Sequence, residues 1–408
     1  METKIFWCKV NKHYTDKWLA SKYLKDKSGI FVASCVVTDK AKRKWIKFVI
    51  NEIWKLKDKE KIYLSWCWAF DKADVDKNFY DRYSELEKYK KQIVLLQEDP
   101  SEIKEEIKID LSKSLFTKKF IIIQNWCDSF CSFCLTVKKR WWHYSKPKEE
   151  ILKEIINFQD QWWKEVVLTW VNLCAWWQPT TNDFENPKFK ELIKYLLENT
   201  TIPRIRISSL WPEFLDSETI QLFKNTRIYP HFHFSLQSWS DKILKSMWRH
   251  YSAQHLYNIL WELRNLKRDD NIKISIWADI IVWFPWETEE DFMDTFNTVK
   301  KYNITKVHAF PFSDHKLWEN VPAWLYPNQI DEKIKRERLN RLIELWDKIR
   351  DDFIKSQIWN EFDILIESVR EWEFKWWTQN YIEANNSAFD IIEWEIKRNN
   401  IVKWILKK

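Results

Sequence analysis

The near-absence of glycine is the feature that most constrains how this chain can fold. The 408 residues include one glycine, Gly29, and 30 tryptophans, whereas glycine makes up about 7% of ordinary soluble proteins. Several tryptophans stand in turn-like settings, among them Trp141–Trp142, Trp376–Trp377, Trp283 and Trp286. Such turns need a positive φ or a close backbone approach, which glycine supplies and a bulky indole does not.

We therefore hypothesise that most of the tryptophans are glycines in the natural protein. Some bacteria read the UGA codon as glycine, and a translation table that reads UGA as tryptophan would print Trp at every such codon. The alternative is a truly tryptophan-rich chain whose tight turns lack glycine. The mass of the intact natural protein separates the two.

Length and composition limit the class of protein. The length suits two or three domains with ample room for a buried core. No run of 18 or more apolar residues is present, so we expect no transmembrane helix. The first four residues lack the apolar core of a secretory signal, and we expect a cytoplasmic protein. The net charge of +7 permits a nucleic-acid partner without requiring one.

Strand-like runs alternate with amphipathic helical patterns, which is typical of an α/β chain. Three early strand-like runs each end shortly before a cysteine, namely Cys8, Cys35 and Cys67. The carboxyl ends of parallel strands share one edge of a sheet, so these cysteines can meet at one point. Any one of them alone would also fit a small buried side chain. Residues 71–112 are charge-dense, and we predict a helical linker there.

A second series of six strand–helix units follows and predicts a partial barrel with its chemistry at the carboxyl ends of the strands. The predicted strands are 120–124, 165–169, 204–208, 231–236, 273–282 and 306–310. The predicted helices are 147–158, 187–198, 240–267, 287–302 and 331–357. The tail from about residue 358 has short alternating stretches at 363–367, 380–383 and 391–396, which predict a small β-barrel of a kind that often binds nucleic acid.

The strongest chemical signal is a CxxxCxxC pattern at Cys127, Cys131 and Cys134, directly after the first strand of the second series. Three thiolates on one short loop can bind three irons of a 4Fe–4S cluster and leave the fourth iron open. Zinc is the alternative, but it usually takes four ligands, and no second cysteine pair lies nearby. The spacing therefore favours an iron–sulfur cluster.

This spacing resembles that of the radical S-adenosylmethionine (SAM) superfamily, and the resemblance sharpens when tryptophan is read as glycine at the doubtful positions. The motifs then read FGCKVN at 6–11, SGC at 65–67, LTGVN at 168–172, HFHFSLQSGSD at 231–241, DIIVGFPGET at 279–288 and KGGTQNY at 375–381. Their order is that of the radical SAM methylthiotransferases, and they cover nearly the whole chain.

The resemblance implies three domains within the α/β class. An N-terminal doubly wound parallel-sheet domain would span residues 1–105. A radical SAM partial (βα)6 barrel would span 113–350, and a TRAM-like small β-barrel that binds RNA would span 355–408.

The resemblance also implies two 4Fe–4S clusters, one on Cys127, Cys131 and Cys134 and a second on Cys8, Cys35 and Cys67. One SAM would methylate a sulfur held at the second cluster. Another would supply the radical that takes hydrogen from C2 of an adenine, because an aromatic C–H is too weak an acid for base catalysis. The implied SAM-binding positions, each of which also fits a core or turn residue, are Phe133, Thr169, Trp170, Asn172, Gln237, Ser238 and Trp283.

The CKVN form of the first motif resembles the branch that acts on N6-threonylcarbamoyladenosine beside the anticodon, at position 37 of tRNA. The alternatives are a methylthiotransferase for N6-isopentenyladenosine and a non-catalytic iron–sulfur or zinc protein that binds RNA. The implied partners are the tRNA anticodon loop, an electron donor such as flavodoxin or ferredoxin, and a sulfur source. We expect no membrane partner and a monomer.

Five positions are candidates for RNA contact, with a solvated charged surface as the alternative for any basic one. They are Arg249, Lys375, Thr378, Asn380 and Tyr381. The seventh cysteine, Cys174, is expected to be a passive thiol, since three ligands for each cluster are already present.

Overall fold

The computed structural model describes most, but not all, of the chain. The described residues are 1–6, 15, 19, 22–34, 39–65, 70–71, 74–75, 79–96, 116–125, 127–135, 144–169, 172–313, 321–327, 331–367, 376–384, 389–391 and 397–407. Two compact units emerge, one formed by residues 1–115, 125–144 and 313–325, the other by residues 116–124, 145–312 and 326–408. None of the described helices is both long and apolar enough to span a bilayer.

The first unit contains a four-stranded parallel sheet in the order β1-β2-β3-β6. Its strands and the short hairpin beside them are β1 (Glu2–Ile5), β2 (Gly29–Ala33), β3 (Lys61–Ser65), β4 (Phe70–Asp71), β5 (Asp74–Val75) and β6 (Ile93–Leu95). Its helices are α1 (Lys22–Lys25), α2 (Asp39–Ile53), α3 (Phe79–Arg82) and α4 (Ser84–Glu87). The prediction of a helical segment over 71–112 is confirmed at α3 and α4 and wrong at β4, β5 and β6, of which β6 pairs with β3 through Ile93–Leu95. Residues 97–115 lie outside the described residues.

The single glycine of the chain occupies a position that no other residue could fill. Gly29 begins β2 with a φ of 130°, and a Cβ atom there would lie 2.0 Å from the carbonyl oxygen of Lys61 on β3. A contact this short is sterically forbidden, so the close pairing of β2 and β3 depends on glycine at this point.

The second unit begins with the predicted series of six parallel strands. The strands of this region are β7 (Lys118–Ile122), β8 (Gln124–Asn125), β9 (Tyr144–Ser145), β10 (Glu165–Thr169), β11 (Arg204–Ile207), β12 (His231–Gln237), β13 (Ser275–Val282) and β14 (Lys306–Pro311). The helices are α5 (Lys148–Asp160), α6 (Phe189–Asn199), α7 (Ser217–Leu222), α8 (Asp241–Ser246), α9 (Ala253–Asn265), α10 (Glu289–Lys301) and α11 (Glu332–Lys355), with 3-10 turns at Leu173–Ala175 and Pro212–Phe214. A further 3-10 turn, Pro322–Leu325, belongs to the first unit.

The six strands form two parallel sheets, ordered β11-β10-β7 and β12-β13-β14. Parallel bridges from Ile205 to Ile228 and from Leu210 to Phe234 connect the neighbouring segments. All six predicted strands are therefore confirmed, whereas their closure into a partial barrel stays a prediction. One predicted helix, 240–267, is wrong as a single element, because it is interrupted between α8 and α9, where Ser252 caps the second helix through its hydroxyl.

The two faces of β12 show how the strands are oriented. Phe232, Phe234 and Leu236 are fully or nearly fully buried, and Phe232 stacks on Phe223 with ring centroids 4.2 Å apart. Polar residues, among them His231 and His233, alternate with them. Because successive side chains of a strand point to opposite faces, the apolar set packs beneath the helices and the polar set shares the other face.

The tail contributes antiparallel strands. They are β15 (Glu361–Leu365), β16 (Trp376–Trp377), β17 (Glu383–Ala384), β18 (Phe389–Ile391) and β19 (Ile401–Leu406). β19 pairs with both β15 and β18, and β16 pairs with β17. The predicted strand at 380–383 is largely wrong, since that segment forms the turn between β16 and β17. Whether these strands close into a TRAM-like barrel stays a prediction.

Among the described residues, six tryptophans adopt the left-handed backbone conformation. They are Trp162, Trp177, Trp248, Trp283, Trp286 and Trp359, with φ between 59° and 75°. This conformation costs a residue with a Cβ atom about 1–2 kcal/mol, and glycine adopts it freely. Trp162, Trp177, Trp248 and Trp359 are also largely exposed, so burial of the indole offsets little of that cost. These positions agree with the glycine hypothesis, which only a mass measurement can test.

Candidate cofactor and RNA sites

The CxxxCxxC segment follows β8 as a compact loop. Cys127 and Cys131 are buried, Cys134 is partly exposed, and none of the three forms a disulfide. The backbone N–H of Cys134 donates to the carbonyl of Cys131 at 2.9 Å, and the thiol of Cys127 lies 3.3 Å from the hydroxyl of Ser129. Phe133, the predicted adenine neighbour, lies within this loop and is half-buried.

The spacing of these thiols bears on which metal group they can hold. One ion would require three ligand atoms within 4.8 Å of one another, and among the described residues no cysteines form such a group. A 4Fe–4S cluster binds each thiolate to a different iron, which keeps the sulfurs farther apart than the ligands of one zinc ion. Cys127, Cys131 and Cys134 therefore fit a cluster better than they fit zinc.

Two polar side chains after β10 have unsatisfied hydrogen-bonding groups. Asn172 is completely buried, and within the described part of the chain neither its amide oxygen nor its amide nitrogen has a partner. The hydroxyl of Thr169, the last residue of β10, is also buried and unpaired there. An unsatisfied buried polar group costs about 1–3 kcal/mol. Both were predicted SAM-binding residues, and a ligand at the strand ends would satisfy them.

The thiol of Cys174 lies two residues beyond Asn172 and is fully buried. Burial raises its pKa to about 12, against a smaller opposing effect of the hydrogen bond that it accepts from the Trp211 N–H at 3.4 Å. A thiol that stays protonated is a poor metal ligand. This agrees with the predicted passive role.

The end of β12 brings two further predicted SAM-binding residues into an irregular turn. Gln237 has a φ of 66°, and the pairing of β12 with β13 shifts register between Phe234 and Gln237. Ser238 is buried and accepts a hydrogen bond from the Ser240 N–H at 3.2 Å. Irregularities of this kind re-aim side chains at strand ends and are common beside active sites.

The turn after β13 is cross-linked by a buried carboxylate. The backbone N–H of Trp283 donates to Glu287 at 2.8 Å, and Arg338 of α11 donates to the same oxygen at 2.9 Å. Burial raises the pKa of Glu287 to about 7, although the Trp283 N–H and Arg338 act in the opposite direction. The backbone of Trp283, a predicted SAM neighbour, is thus held in a fixed, left-handed conformation.

Arg249, a predicted RNA contact, has internal partners. Its guanidinium forms an ion pair with Glu213 at 3.2 Å, donates to the carbonyl of Ser235 at 3.1 Å and stacks 4.2 Å above the ring of Trp211. Only 7% of the residue is exposed. The alternative interpretation, in which Arg249 is a charge exposed to solvent, is therefore wrong. Any contact of Arg249 with RNA would have to compete with these internal bonds.

The predicted RNA contacts of the tail bond to and pack against other residues of the second unit. Asn380 is fully buried and donates to the carbonyl of Lys273 at 3.0 Å and to Gln357 at 2.6 Å. Thr378 is buried and donates to Asn380 at 2.7 Å. Tyr381 stacks on His231 with centroids 4.1 Å apart. Lys375 lies outside the described residues, as do Trp170 and the second cysteine set, Cys8, Cys35 and Cys67.

A charged lining of the strands was not predicted from the sequence. Glu165 is buried and pairs with Arg206 at 3.0 Å, while Arg204 lies 3.9 Å from the same carboxylate. Burial opposes ionisation of Glu165, but Arg206, Lys118 and Arg204 lower its pKa. The signal was present, since charged residues at every second position of a strand must share one face.

A second missed group lies on β12, β13 and β14. Asp279 accepts from His233 at 2.8 Å and lies 3.4 Å from His308. The alternation of His231, His233 and Ser235 with apolar residues along β12 could have indicated that this face is polar.

Comparison with known families places these sites in context. Residues 121–299 match the sequence model described as "Radical SAM superfamily". Several relatives have names that describe the modification of tRNA. A Bacillus subtilis protein named threonylcarbamoyladenosine tRNA methylthiotransferase MtaB is 32% identical over 66% of this chain. The protein of the same name from Thermotoga maritima is 30% identical over 89% of this chain and 85% of its own length.

Other relatives carry a different substrate in their names. The tRNA-2-methylthio-N(6)-dimethylallyladenosine synthase of Ehrlichia chaffeensis is 34% identical over 58% of this chain. The matched region spans 58% of the Bacillus relative's length and 52% of the Ehrlichia relative's length, so the chain covers only part of several relatives.

Solved structures show a more distant similarity. The radical SAM enzyme HemN from Escherichia coli has a TM-score of 0.40 at 14% identity, over 57% of this chain and 52% of that one. The radical SAM methyltransferase TsrM from Kitasatospora setae has a TM-score of 0.47 at 10% identity, over 75% of this chain and 69% of that one.

Proposed function

Because the chain belongs to the tRNA methylthiotransferases of the radical SAM superfamily, we propose that it attaches a methylthio group to C2 of N6-threonylcarbamoyladenosine beside the tRNA anticodon. The observation that carries the proposal is the loop with Cys127, Cys131 and Cys134, three unbridged thiols that directly follow the first of six parallel strands. The reaction replaces the hydrogen on C2 of the adenine with a methylthio group. Because this aromatic C–H is a very weak acid, a base cannot remove its proton, and radical chemistry is needed.

Support for the nucleoside comes from the relatives. The Thermotoga relative, which this chain matches over 85% of its length, carries threonylcarbamoyladenosine in its name. The dimethylallyladenosine synthases match over shorter stretches at similar identity. N6-isopentenyladenosine is therefore the alternative substrate.

Cys127, Cys131 and Cys134 would hold a 4Fe–4S cluster whose fourth iron is open. When bound there, the cluster supplies the electron that splits SAM into methionine and a carbon-centred radical. The buried Cys127 and Cys131 limit the access of water and oxidants to their side of the loop. A partly exposed Cys134 leaves room for an approaching ligand.

Buried polar side chains that lack a partner among the described residues would bind SAM through hydrogen bonds. The amide of Asn172 offers one acceptor and two donors, and the hydroxyl of Thr169 offers one donor, all buried beside the end of β10. The Glu287–Arg338 pair keeps the backbone of Trp283 rigid, so the turn needs no rearrangement to meet the ligand. Binding energy is not spent on ordering these groups, because they are already in place.

The second cluster, with its sulfur, belongs to the same proposal. Cys8, Cys35 and Cys67 each follow a strand, and β1, β2 and β3 are adjacent and parallel. Neighbouring parallel strands deliver their carboxyl ends to one edge of a sheet. This arrangement supports a shared site for the three thiols.

The test separates the two clusters with matched variants of the reconstituted enzyme. Cys131→Ala should abolish 5′-deoxyadenosine formation from SAM and a reductant, with loss of about half the iron. Cys35→Ala should also lose about half the iron but keep SAM cleavage and lose methylthiolation of a tRNA substrate. Methylthiolated product from the Cys35→Ala enzyme would overturn the second-cluster assignment. If the wild-type enzyme forms no 5′-deoxyadenosine, the catalytic function is excluded. A non-catalytic protein that binds RNA would then be the remaining interpretation.

A further inference from the structure

A group of three potential metal ligands lies on one face of the β12-β13-β14 sheet. The strand register places Asp279 directly opposite His308, and Trp277, two residues earlier, opposite His233. Trp277 and Asp279 share a face because side chains alternate along a strand. The two histidines and the carboxylate therefore come from three adjacent strands, which are the most rigid elements available for a site.

The ligand atoms converge on one point. The Nε2 atom of His233 is 2.8 Å and the Nδ1 atom of His308 is 3.4 Å from the same oxygen, Oδ1 of Asp279. All three atoms lie within 4.8 Å of one another. Tetrahedral zinc with ligands at 2.0–2.2 Å separates neighbouring ligand atoms by about 3.3 Å. The 3.4 Å contact already has this length, and the 2.8 Å contact must lengthen by about half an ångström to admit an ion.

The donor chemistry and the accessibility also suit a metal. Two imidazole nitrogens and one carboxylate oxygen form a set that suits zinc and other first-row divalent ions. The side chains of His233, Asp279 and His308 are 12%, 23% and 30% exposed, so an ion can enter without unfolding the sheet.

Aromatic residues surround the group and restrict its movement. The ring of Trp277 meets His233 edge-on at 6.2 Å and His308 at 5.5 Å between centroids. Phe310, also on β14, packs edge-on against His308 at 6.4 Å. Ligands held in place by packing lose little freedom when they bind an ion.

We propose that His233, Asp279 and His308 bind one divalent first-row metal ion, for which zinc is the probe. Three protein ligands leave at least one coordination position for an external oxygen donor, as in catalytic zinc sites. Nothing in the proposed methylthiotransferase chemistry requires this ion. The site and the proposed function can therefore fail independently.

The experiment measures zinc on the intact enzyme with its iron–sulfur clusters in place. Anaerobically prepared protein is equilibrated with micromolar zinc, passed through a desalting column and analysed for zinc and iron by mass spectrometry. We expect about one zinc per chain in the wild type, at unchanged iron content. X-ray absorption at the zinc edge should show nitrogen and oxygen neighbours and no sulfur, which distinguishes this site from zinc held by stray cysteines.

Variants locate the ion. The near-isosteric changes Asp279→Asn and His308→Gln should each weaken zinc binding at least tenfold, while the iron content and the unfolding midpoint stay within error of the wild type. His250→Ala, which removes an exposed histidine outside the group, should bind zinc normally. No zinc on the wild type would overturn the proposal and leave a hydrogen-bonded triad. Equal zinc on the wild type and Asp279→Asn, or a sulfur-containing zinc edge, would also overturn it.

Discussion

The pair Asn172 and Asn380 allows one substitution to test whether an unsatisfied amide marks the SAM site. Both residues are fully buried. The amide of Asn380 bonds to Lys273 and Gln357, whereas that of Asn172 has no partner among the described residues. Leucine resembles asparagine in size but cannot form hydrogen bonds, so the same change should have opposite consequences at the two positions.

For Asn172→Leu, we expect no loss of stability without ligand, because the change removes groups that already lack partners. With SAM present, the loss of about two net hydrogen bonds at 1–1.5 kcal/mol each amounts to about 2–3 kcal/mol. That corresponds to SAM binding about 30- to 160-fold weaker. Asn380→Leu should cost about 3 kcal/mol of stability, because the carbonyl of Lys273 and the buried side-chain amide of Gln357 lose their donor.

Urea unfolding followed by circular dichroism gives the stabilities, and equilibrium dialysis of SAM with the cluster-loaded enzyme gives the affinities. The reasoning is refuted if Asn172→Leu is destabilised as much as Asn380→Leu. It is equally refuted if Asn172→Leu binds SAM as tightly as the wild type does.

Three further changes test separate parts of the account. Trp359→Gly should raise the free energy of unfolding by about 1 kcal/mol, because it relieves a φ of 71° at an exposed indole. Trp404→Gly empties a fully buried site and should lower the free energy of unfolding. A less stable Trp359→Gly and a more stable Trp404→Gly would contradict the conformational argument. Folding raises the pKa of Glu287 from 4.5 to about 7, so its contribution to stability is complete below pH 4.5 and disappears as the pH rises through 7. The stability of the wild type relative to Glu287→Gln should therefore fall by about 3 kcal/mol across that window in urea titrations, and a flat difference would exclude the raised pKa. Cys174→Ala should keep the full iron content, whereas Cys131→Ala should not, and iron loss in Cys174→Ala would make that thiol a ligand.

Strand β10 was predictable because it is a short, mainly apolar run before a turn. Glu165–Thr169 begins and ends as the sequence analysis predicted. The split between α8 and α9 was not predictable, because helices tolerate tryptophan. The backbone of Trp248, however, has a φ of 59°, which no α-helix contains.

The β6 strand was missed for a different reason. Ile93–Leu95 is a three-residue apolar run inside a charge-dense segment, too short to show a period of its own. Its strand conformation arises from pairing with β3, and that long-range contact is not readable from local sequence. The same limit applies to Asn380 and Tyr381, whose partners on Lys273 and His231 lie more than a hundred residues away.

The cysteine loop was predictable because ligand spacing is a local property. The His233, Asp279 and His308 group was not, because its members lie on three strands and meet only through their register. The orphaned amide of Asn172 likewise becomes visible only once burial and partners are known.

Nucleoside analysis of tRNA tests the central claim most directly. The gene, resynthesised with glycine codons at the proposed recoded positions, is expressed in a bacterial strain that makes both modified adenosines but lacks their methylthiotransferases. Mass spectrometry of digested tRNA should then show 2-methylthio-N6-threonylcarbamoyladenosine, and the Cys131→Ala gene should not produce it. Accumulation of the 2-methylthio-isopentenyl nucleoside instead would contradict the proposed substrate. Unmodified tRNA in the presence of soluble, cluster-loaded protein would contradict the methylthiotransferase function itself.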